Sequence, residues 1–196
     1  MRKAELSRTT NETNIKIEIN LDGTGTANIN TGIGFFDHML TQIAVHGLFD
    51  ISIEAEGDLH IDPHHTIEDC GLVLGETVNQ ALGDRRGITR MASAYVPMDE
   101  ALGHVVLDLS GRPYTVISVP WTAPIIGIVP TSLLEHFFES FAITGRCNTH
   151  ARIIYGKDNH HMSEALFKAF GRALDTATRI DDRRLDQIPS SKGNLV

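Results

Sequence analysis

Residues 60–82, HIDPHHTIEDCGLVLGETVNQAL, return in altered form as residues 159–177, NHHMSEALFKAFGRALDTA. Each segment carries a His-His-x-x-Glu motif, and the two motifs begin 160 − 64 = 96 residues apart, at His64 and His160. Upstream, His38 in GFFDHML aligns with His136 in SLLEHFF, 136 − 38 = 98 residues later. Self-similarity at a nearly fixed spacing is typical of a repeated structural unit. The sequence therefore predicts one unit that occurs twice.

Each half shows the same order of secondary-structure patterns. A helix is predicted at residues 35–46 and again at residues 132–143, where Thr131 or Ser132 would form the N-cap after Pro130. Alternation of apolar and polar residues predicts strands on either side of these helices. The predicted strands are residues 14–20, 51–55, 104–109, 114–119 and 150–155.

A second helix closes each half, and its apolar residues keep helical spacing. Strands covered by such helices indicate an α/β or α+β architecture of two similar lobes. The boundary is expected near residues 87–93, which gives halves at residues 1–90 and 91–196 of one compact domain. The polar tail, residues 184–196, is expected to be a flexible end. The apolar positions are Ile67, Leu74, Val78 and Ala81 in the first half, and Leu166, Phe170, Leu174 and Ala177 in the second.

Composition restricts the possible partners and the compartment. Of the 196 residues 41% are hydrophobic, so a normal core is possible, and the formal net charge of −8 argues against nucleic-acid binding. Cys70 and Cys147 lack CxxC spacing, which favours a reducing cytoplasm without disulfides. The N-terminus has no signal-peptide core, and no apolar run is long enough to cross a membrane. The sequence therefore predicts a cytoplasmic protein with neither nucleic acid nor membrane as partner.

The paired motifs have the chemistry of metal sites. Residues four apart on a helix share a face, so His64 and Glu68 can point together. His65 lies roughly 100° further around the helix, so neighbouring histidines suit two different ions better than one. Eight ligands would give two ions four each, and an octahedral ion would keep two open positions for substrate or water. Such ligands suit Mn or Fe(II), with Zn or Ni possible. The eight are His38, His64, His65, Glu68, His136, His160, His161 and Glu164.

These motifs have two plainer interpretations. A single His-His pair is usually a feature of the surface without function, but a duplicated core has no packing reason to keep His-His-x-x-Glu twice. A purely structural metal cluster that holds an oligomer together stays open as an alternative. The repeat therefore favours metal binding over chance, without deciding between a catalytic and a structural ion.

Four long strings resemble one enzyme family, the imidazoleglycerol-phosphate dehydratases. They are FFDHML at 35–40, DPHHTIEDCG at 62–71, MDEALGHVVLDLSGRPY at 98–114 and GKDNHHMSEALFKA at 156–169, and the resemblance runs from about Ser7 to the tail. It implies an α+β fold in which each half is a four-stranded sheet with two helices packed on one face. It also implies trimers that assemble into a 24-subunit shell, with active sites between subunits that each hold two Mn²⁺. The eight ligands it implies are those found by counting, and the chain resembles the monofunctional form.

The resemblance also implies a reaction and a substrate site. The family converts imidazoleglycerol phosphate to imidazole-acetol phosphate and water, a hydro-lyase step of histidine biosynthesis. Glu12, which has no evident counterpart in the second half, is the candidate for proton transfer, and His46 is a second candidate. The resemblance implies that five residues bind the phosphate, namely Arg90, Arg112, Lys168, Ser190 and Lys192. By spacing alone, the arginines and lysines among them would be ordinary solvated cations. Asp99, in VPMDEALGH at 96–104, is expected near the substrate site but receives no role. The implied substrate contacts are Glu12, His38, His46, Arg90, Arg112, Lys168, Ser190 and Lys192.

Two other functions stay open at this point. A bimetal phosphoester hydrolase would use a similar cluster but would release phosphate. A non-catalytic metal-binding shell protein would have no reason to gather phosphate-binding cations beside its ligands.

For Ser190 and Lys192 the resemblance suggests a loop that becomes ordered around phosphate, which would replace the interpretation of the tail as a flexible end.

Overall fold

The structure is a computed structural model that describes residues 2–185 and 187–195. The first half of the chain forms a mixed four-stranded sheet with two helices. The strand order is β1-β2-β4-β3, with β3 and β4 parallel and the other pairs antiparallel. Alternation places Ile15, Ile17 and Ile19 of β2 inside and the polar residues between them outside. The elements are β1 (Lys3–Thr9), β2 (Thr13–Asn20), β3 (Ala27–Asn30), α1 (Gly34–Gly47), β4 (Asp50–Gly57) and α2 (His64–Leu82).

The second half repeats this arrangement in the same order. Its sheet has the order β5-β6-β10-β7, and its single parallel pair, β7 with β10, corresponds to β3 with β4. The predicted α+β duplication is therefore confirmed. The elements are β5 (Met91–Met98), β6 (Ala101–Asp108), β7 (Tyr114–Ser118), β8 (Ile125–Ile126), β9 (Val129–Pro130), α3 (Thr131–Gly145), β10 (Asn148–Tyr155) and α4 (Asn159–Thr178), followed by a 3₁₀ turn at Asp182–Arg184.

Some local predictions differ from the structure. The first helix of the second half begins at Thr131, with Pro130 at the N-cap and no side-chain cap, so the predicted cap at Thr131 or Ser132 is wrong. The predicted strand at 104–109 starts earlier, at Ala101, and ends at Asp108. Five strands are not predicted by the sequence, namely the two-residue strands β8 and β9 and the longer strands β1, β3 and β5. In β1, β3 and β5 the inward-facing residues are only partly buried in most positions, so the apolar alternation in their sequences is weak.

The four helices lie between the two sheets and join the halves into one core. α1 packs on α4 and α2 packs on α3, while α2 and α4 cover the inner faces of the first and second sheets. Phenylalanines fill the centre, where the rings of Phe36 and Phe137 meet edge to face at 5.4 Å. Cys70 and Cys147 are buried and unpaired. Within the described residues, no helix combines the length and apolar character that a membrane span requires.

The helix pairs cross at equivalent glycines. A Cβ atom on Gly171 of α4 would lie 2.8 Å from the carbonyl oxygen of Ile43 in α1, and one on Gly75 of α2 would lie 2.4 Å from that of Phe141 in α3. Both distances are too short for a real Cβ contact, so only glycine permits the backbones to approach this closely. This approach holds α1 against α4 at a distance that lets side chains of both helices meet.

Replacing Gly171 by alanine should therefore lower the free energy of unfolding by about 1–3 kcal/mol, the usual cost of inserting a methyl group into a packed core. Urea unfolding of metal-free protein measures this effect. Gly34→Ala is the matched control, because nothing lies within 4 Å of a Cβ atom at that position. Equal unfolding midpoints for Gly171→Ala and the wild type would show that the helix crossing tolerates a side chain.

Candidate metal centres and substrate site

One cluster of potential ligands forms where α1 meets α4. The Nε2 atoms of His38 and His160 each lie 3.0 Å from Oε1 of Glu164. Adjacent ligand atoms on an octahedral ion with bonds of about 2.1 Å are separated by about 3 Å. The spacing of these three atoms therefore fits one divalent ion, and we call this set the first trio.

A second trio forms at the equivalent place between α2 and α3. Glu68 lies 3.5 Å from Nε2 of His64 through one carboxylate oxygen and 3.7 Å from Nε2 of His136 through the other. Like the first trio, it offers three ligand atoms that all lie within 4.8 Å of one another. The predicted spacing of four residues between His and Glu thus places both on one face in each half.

The charge of Glu164 is also suited to a cation. Burial alone would raise the pKa of this carboxyl group, but hydrogen bonds from Lys168, His38 and His160 lower it to about 2. The Nζ of Lys168 lies 2.5 Å from Oε2 of Glu164, which leaves Oε1 facing the two imidazoles. Glu164 is therefore ionised at neutral pH and presents one oxygen to the centre of the trio.

His65 and His161 belong to neither trio within the described part of the chain. Each diverges from the histidine before it, as the helical geometry predicted. Asp58 accepts a hydrogen bond from Nδ1 of His65 at 3.0 Å, and Glu100 accepts one from Nδ1 of His161 at 2.7 Å. These hydrogen bonds raise the pKa of both histidines. The structure therefore brings six of the eight predicted ligands together and leaves two apart.

The orientation of the imidazoles matches what metal ligation requires. A metal-bound histidine usually donates its second ring N–H to a carboxylate, which fixes the ring and the tautomer. Asp58, Glu100 and Glu139 play this part, the last at 3.2 Å from Nδ1 of His136. In these three histidines Nε2 remains the available ligand atom. The residues present therefore fit divalent ions held through Nε2.

An aspartate precedes each motif by two residues. The backbone N–H of His64 donates to Asp62 and that of His160 donates to Asp158, both at 2.7 Å. Each aspartate thereby satisfies an otherwise free N–H in the first turn of its helix. The motif is therefore Asp-x-His-His-x-x-Glu in both halves. The repeated aspartate is a signal in the sequence that the prediction of eight ligands did not use.

Glu12 lies in the turn between β1 and β2, close to α2. Its side chain approaches Nε2 of His65 at 3.8 Å. The turn is held from both sides, because the Asp58 N–H donates to the Glu12 carbonyl at 3.0 Å and the Thr13 hydroxyl donates to Asp69 at 2.5 Å. Asp69 directly follows Glu68, so the helix that supplies a potential ligand also fixes the turn that carries Glu12.

Asp99 occupies the equivalent turn of the second half, between β5 and β6. Its carboxylate lies 3.8 Å from Nε2 of His161, the same distance as between Glu12 and His65. Glu12 therefore does have a structural counterpart, contrary to the sequence analysis. The equivalence is hidden because the segment between β7 and α3, which contains β8 and β9, is longer than the segment between β3 and α1. The offset is therefore 99 − 12 = 87 before this segment and 160 − 64 = 96 after it.

The predicted phosphate ligands lie in two separate places. Lys168 contacts Glu164 of the first trio and the sulfur of Met98, at the end of β5. Arg90 lies just before the start of β5, where it forms a bidentate pair with Asp108 at 2.7 and 3.0 Å. Eight residues of extended strand at about 3.3 Å each separate Arg90 from Met98 by about 26 Å. One small substrate cannot contact both groups in a single chain.

The tail joins the Arg90 group. The N–H of Gly87 donates to the Gln187 carbonyl at 2.9 Å, and Arg90 donates to the Pro189 carbonyl at 2.7 Å. The expectation of a flexible end is therefore wrong for these residues, which long-range hydrogen bonds hold in place. Ser190, next to Pro189, accepts a hydrogen bond from the Lys192 N–H at 3.2 Å. Both predicted tail contacts thus lie near Arg90.

Arg112 and His46 complete the predicted set. Arg112 lies in the loop after β6, near the end of the sheet where Asp108 pairs with Met91, and so on the side of Arg90. His46 is half-buried near the end of α1, two turns beyond His38. Burial, followed by the positive charges of Lys168 and Arg172, lowers the pKa of His46. Its imidazole is therefore neutral at pH 7 and can accept a proton.

The chain is similar to one enzyme family over most of its length. A family model described as imidazoleglycerol-phosphate dehydratase matches residues 31–174. A protein of that name from Roseiflexus sp. (strain RS-1) is 56% identical over 194 residues, which cover 99% of this chain and 98% of the relative. Another from Chloroflexus aurantiacus is 55% identical over 195 residues, covering 100% of this chain and 95% of the relative.

Solved structures agree with this similarity. The imidazoleglycerol-phosphate dehydratase of Staphylococcus aureus superposes with a TM-score of 0.83 at 38% identity, covering 91% of this chain and 99% of that one. The enzyme from Pyrococcus furiosus, crystallised in complex with (S)-C348, gives a TM-score of 0.84 at 35% identity and covers 97% of this chain and 100% of that one. Sequence and fold therefore point to the same family.

Proposed function

The chain belongs to the imidazoleglycerol-phosphate dehydratase family, and we propose that it carries out this family's hydro-lyase reaction with two divalent ions, Mn²⁺ in the first instance, in each active site. D-erythro-imidazoleglycerol phosphate loses water to give imidazole-acetol phosphate in histidine biosynthesis. The observation that supports a two-ion site is the pair of His, His, Glu trios at equivalent positions of the repeat. The two buried, unpaired cysteines suit the cytoplasm, where we place the reaction.

We infer that each active site is shared between chains. Eight predicted ligands would give each of two ions four, but each trio holds three. The two remaining histidines, His65 and His161, belong to neither trio of their own chain. The basic side chains proposed to bind phosphate are also separated. Arg90 lies about 26 Å along β5 from Met98, the residue that Lys168 contacts at the other end of this strand. A neighbouring chain that supplies His65 or His161 together with the Arg90 group would complete both sets. This supports the proposed assembly of trimers into a 24-subunit shell.

The chain's own residues then have separate tasks. A bound ion supplies Lewis acidity toward the imidazole of the substrate. Arg90, Arg112, Ser190 and Lys192 bind the phosphate, with Lys168 contributing from the side of the trio. Glu12 lies in a turn held by hydrogen bonds beside His65, where it can move a proton at the substrate carbon. His46, with its lowered pKa, contacts the substrate as a second acceptor.

The products distinguish dehydration from the alternative of phosphoester hydrolysis. Purified protein incubated with Mn²⁺ and imidazoleglycerol phosphate should convert it to a ketone phosphate that lacks one water, as mass spectrometry shows, without release of inorganic phosphate. Release of phosphate at the rate of substrate loss would support a hydrolase. A protein that binds metal but leaves the substrate intact would support the non-catalytic shell.

Removing the metal should reduce the size of the assembly. If ions bridge chains, their binding free energy contributes to association. Chelation should leave smaller particles, of trimer size, and addition of Mn²⁺ should restore the large particle. Size-exclusion chromatography with light scattering measures both masses. An unchanged mass after complete removal of the metal, verified by elemental analysis, would contradict metal sites between chains.

Removing the phosphate contacts of the tail should weaken substrate binding and leave the metal in place. The double variant Ser190→Ala, Lys192→Ala should raise KM by about tenfold or more, since a hydrogen bond to a charged group contributes about 1.5–3 kcal/mol. Steady-state kinetics and metal analysis on the same preparation test this prediction. Asn194→Ala, also in the tail, is the control. Equal KM values for the double variant and the wild type would remove the tail from the substrate site.

A further inference from the structure

Arg85, three residues after the end of α2, is a buried cation whose hydrogen bonds go to neutral groups. Its side chain belongs to a residue that is only 4% exposed. Within the described part of the chain its acceptors are the carbonyls of Leu109 at 2.8 Å, Arg146 at 3.1 Å and Gly145 at 3.0 Å, and the side-chain oxygen of Asn79 at 2.7 Å. Buried charges are usually paired, because removing an unpaired charge from water is costly. A buried arginine with neutral partners therefore points to a role beyond packing.

These acceptors surround the loop that carries Arg112. We call residues 109–112, Leu-Ser-Gly-Arg, the Arg112 loop. The N–H of Gly111 donates to the carbonyl of Arg146 at 2.9 Å, and this carbonyl also accepts from Arg85. The loop is therefore held at its first residue by Arg85 directly and at its third through a shared acceptor.

The same contacts connect Arg85 with Arg90. The N–H of Leu109 donates to the carbonyl of Arg90 at 3.1 Å, while the carbonyl of Leu109 accepts from Arg85. One peptide segment thus lies between the buried guanidinium and the residue that pairs with Asp108. Arg85 contacts the backbone that carries both arginines proposed to bind phosphate, although its own side chain is buried.

Arg85 also contacts the C-terminal end of α3. Gly145 is the last residue of this helix and Arg146 is its C-cap. Carbonyls at a helix C-terminus lack partners within the helix and carry the negative end of its dipole, which repels anions. Arg85 donates to the carbonyls of both residues. The guanidinium therefore offsets a negative potential beside the Arg112 loop.

The backbone around this contact is unusual. Five non-glycine residues of the described chain have positive φ, and three of them are Arg85 at 61°, Arg90 at 74° and Arg146 at 50°. Side-chain-bearing residues rarely adopt this region, and such residues cluster where function fixes the backbone. Three arginines in this conformation at one place indicate that the chain is held there for a purpose.

The first half contains the equivalent loop with the opposite charge. Residues 21–24, Leu-Asp-Gly-Thr, follow β2 as residues 109–112 follow β6. A carboxylate holds this loop, because Asp50 of β4 accepts from the N–H groups of Thr24 at 2.9 Å and Thr26 at 3.1 Å. These hydrogen bonds lower the pKa of Asp50, so it is ionised. The first loop is therefore unsuited to an anion.

An amide replaces this carboxylate in the second half. Strand register pairs Asp50 with Asn20 in the first sheet and Asn148 with Asp108 in the second, so Asn148 is the counterpart of Asp50. The side-chain amide of Asn148 donates to the carbonyl of Arg112 at 2.7 Å. The second loop is thus held without the negative charge that holds the first.

We propose that Arg85 and Asn148 are positioning residues of the phosphate site. Arg85 fixes the Arg112 loop and adds an uncancelled positive charge, and Asn148 fixes the same loop without adding a negative one. The ligand is the phosphate monoester of the substrate, so the inference rests on the proposed function and deepens it. Both residues act through the loop rather than by contact with the substrate.

Two variants test this role in the Mn²⁺-loaded protein. Arg85→Lys keeps the charge, but an ammonium group has three donors and lacks the planar fork that reaches four acceptors. Asn148→Asp is isosteric, lies at a half-buried position and restores the carboxylate of the first half. Each should raise KM by about tenfold, with kcat changed by less than about twofold and metal content kept. A merely structural role would lower the amount of active protein, and hence kcat, without raising KM.

Inorganic phosphate and imidazole separate the phosphate site from the metal sites. The constant for competitive inhibition by inorganic phosphate should rise by the same factor as KM in both variants, whereas inhibition by imidazole, a metal ligand without phosphate, should not change. Arg183→Met is the control, because it removes one positive charge from a side chain that is 86% exposed. It should leave both inhibition constants at their wild-type values.

Calorimetric titration with inorganic phosphate completes the test because it needs no turnover. Weaker phosphate binding by Arg85→Lys and Asn148→Asp than by the wild type and Arg183→Met would support the proposal. Equal phosphate affinity in all four proteins, or an equal loss in Arg183→Met, would overturn it. Since dehydration by the wild type is measured separately, failure of this role and failure of the proposed function are distinguishable.

Discussion

Glu12→Gln should lower kcat by about 10²–10⁴-fold, the range that general acid–base groups contribute, while substrate binding and both ions are kept. Glutamine is nearly isosteric with glutamate and can still accept a hydrogen bond from the substrate, but it cannot take up a proton. The turn around Glu12 should survive, because backbone and Thr13 contacts hold it rather than the carboxylate itself. Steady-state kinetics and metal analysis of one preparation measure the three quantities together.

Comparison with Asp99→Asn sharpens this test. Asp99 lies at the same distance from His161 as Glu12 from His65, so the two variants perturb equivalent places in the two halves. A loss confined to Glu12→Gln would assign proton transfer to the first half alone. Reduced metal content in Glu12→Gln would identify Glu12 as a ligand instead, and a wild-type kcat with two bound ions would remove it from the mechanism and leave His46 as the remaining candidate.

Glu164→Gln should abolish the first metal site and lower kcat by about 10³-fold or more. A metal acting as Lewis acid contributes several kcal/mol, and about 4 kcal/mol corresponds to about three powers of ten in rate. Glu164 is the member of the first trio that both histidines contact, and an amide is a much poorer ligand than a carboxylate. Lys168 would also lose its partner, so a higher KM is expected as well.

Repeat symmetry supplies the matching experiment. Glu68→Gln removes the equivalent carboxylate of the second trio and should cause a loss of similar size with one ion retained. Glu76→Gln is the control, because Glu76 lies on the same helix as Glu68, two turns later, and accepts a hydrogen bond from Gln80. Retention of two ions and full activity in Glu164→Gln would contradict the role assigned to the first trio.

The ligand pattern was predictable because it depends on local geometry. A spacing of four residues on a helix brings His and Glu to one face whatever the rest of the chain does, and His64 with Glu68 follows this rule. The duplication added His38 and His136, which reach the trios only because α1 and α3 cross α4 and α2 closely. That crossing depends on Gly75 and Gly171, whose role the sequence did not reveal.

Features that depend on turn length or long-range contact could not be predicted. Asp99 is the counterpart of Glu12 in space, but the longer segment between β7 and α3 gives these two turns a different sequence offset from that of the histidine motifs. The sequence of the tail is polar and irregular. Hydrogen bonds from Gly87 and Arg90, which lie about a hundred residues earlier in the chain, hold it in place. The division of ligands into three and three likewise needs coordinates. The sequence predicted eight metal ligands, whereas the structure brings only six of them together within one chain.

The most direct test of the account is a crystal structure of Mn²⁺-loaded protein, with ions located by anomalous scattering at the manganese edge. We expect two ions per chain, one among His38, His160 and Glu164 and one among His64, Glu68 and His136. We also expect each ion to receive its fourth protein ligand, His65 or His161, from a neighbouring chain. One ion per chain, or two ions each held wholly within one chain, would contradict metal sites shared between chains.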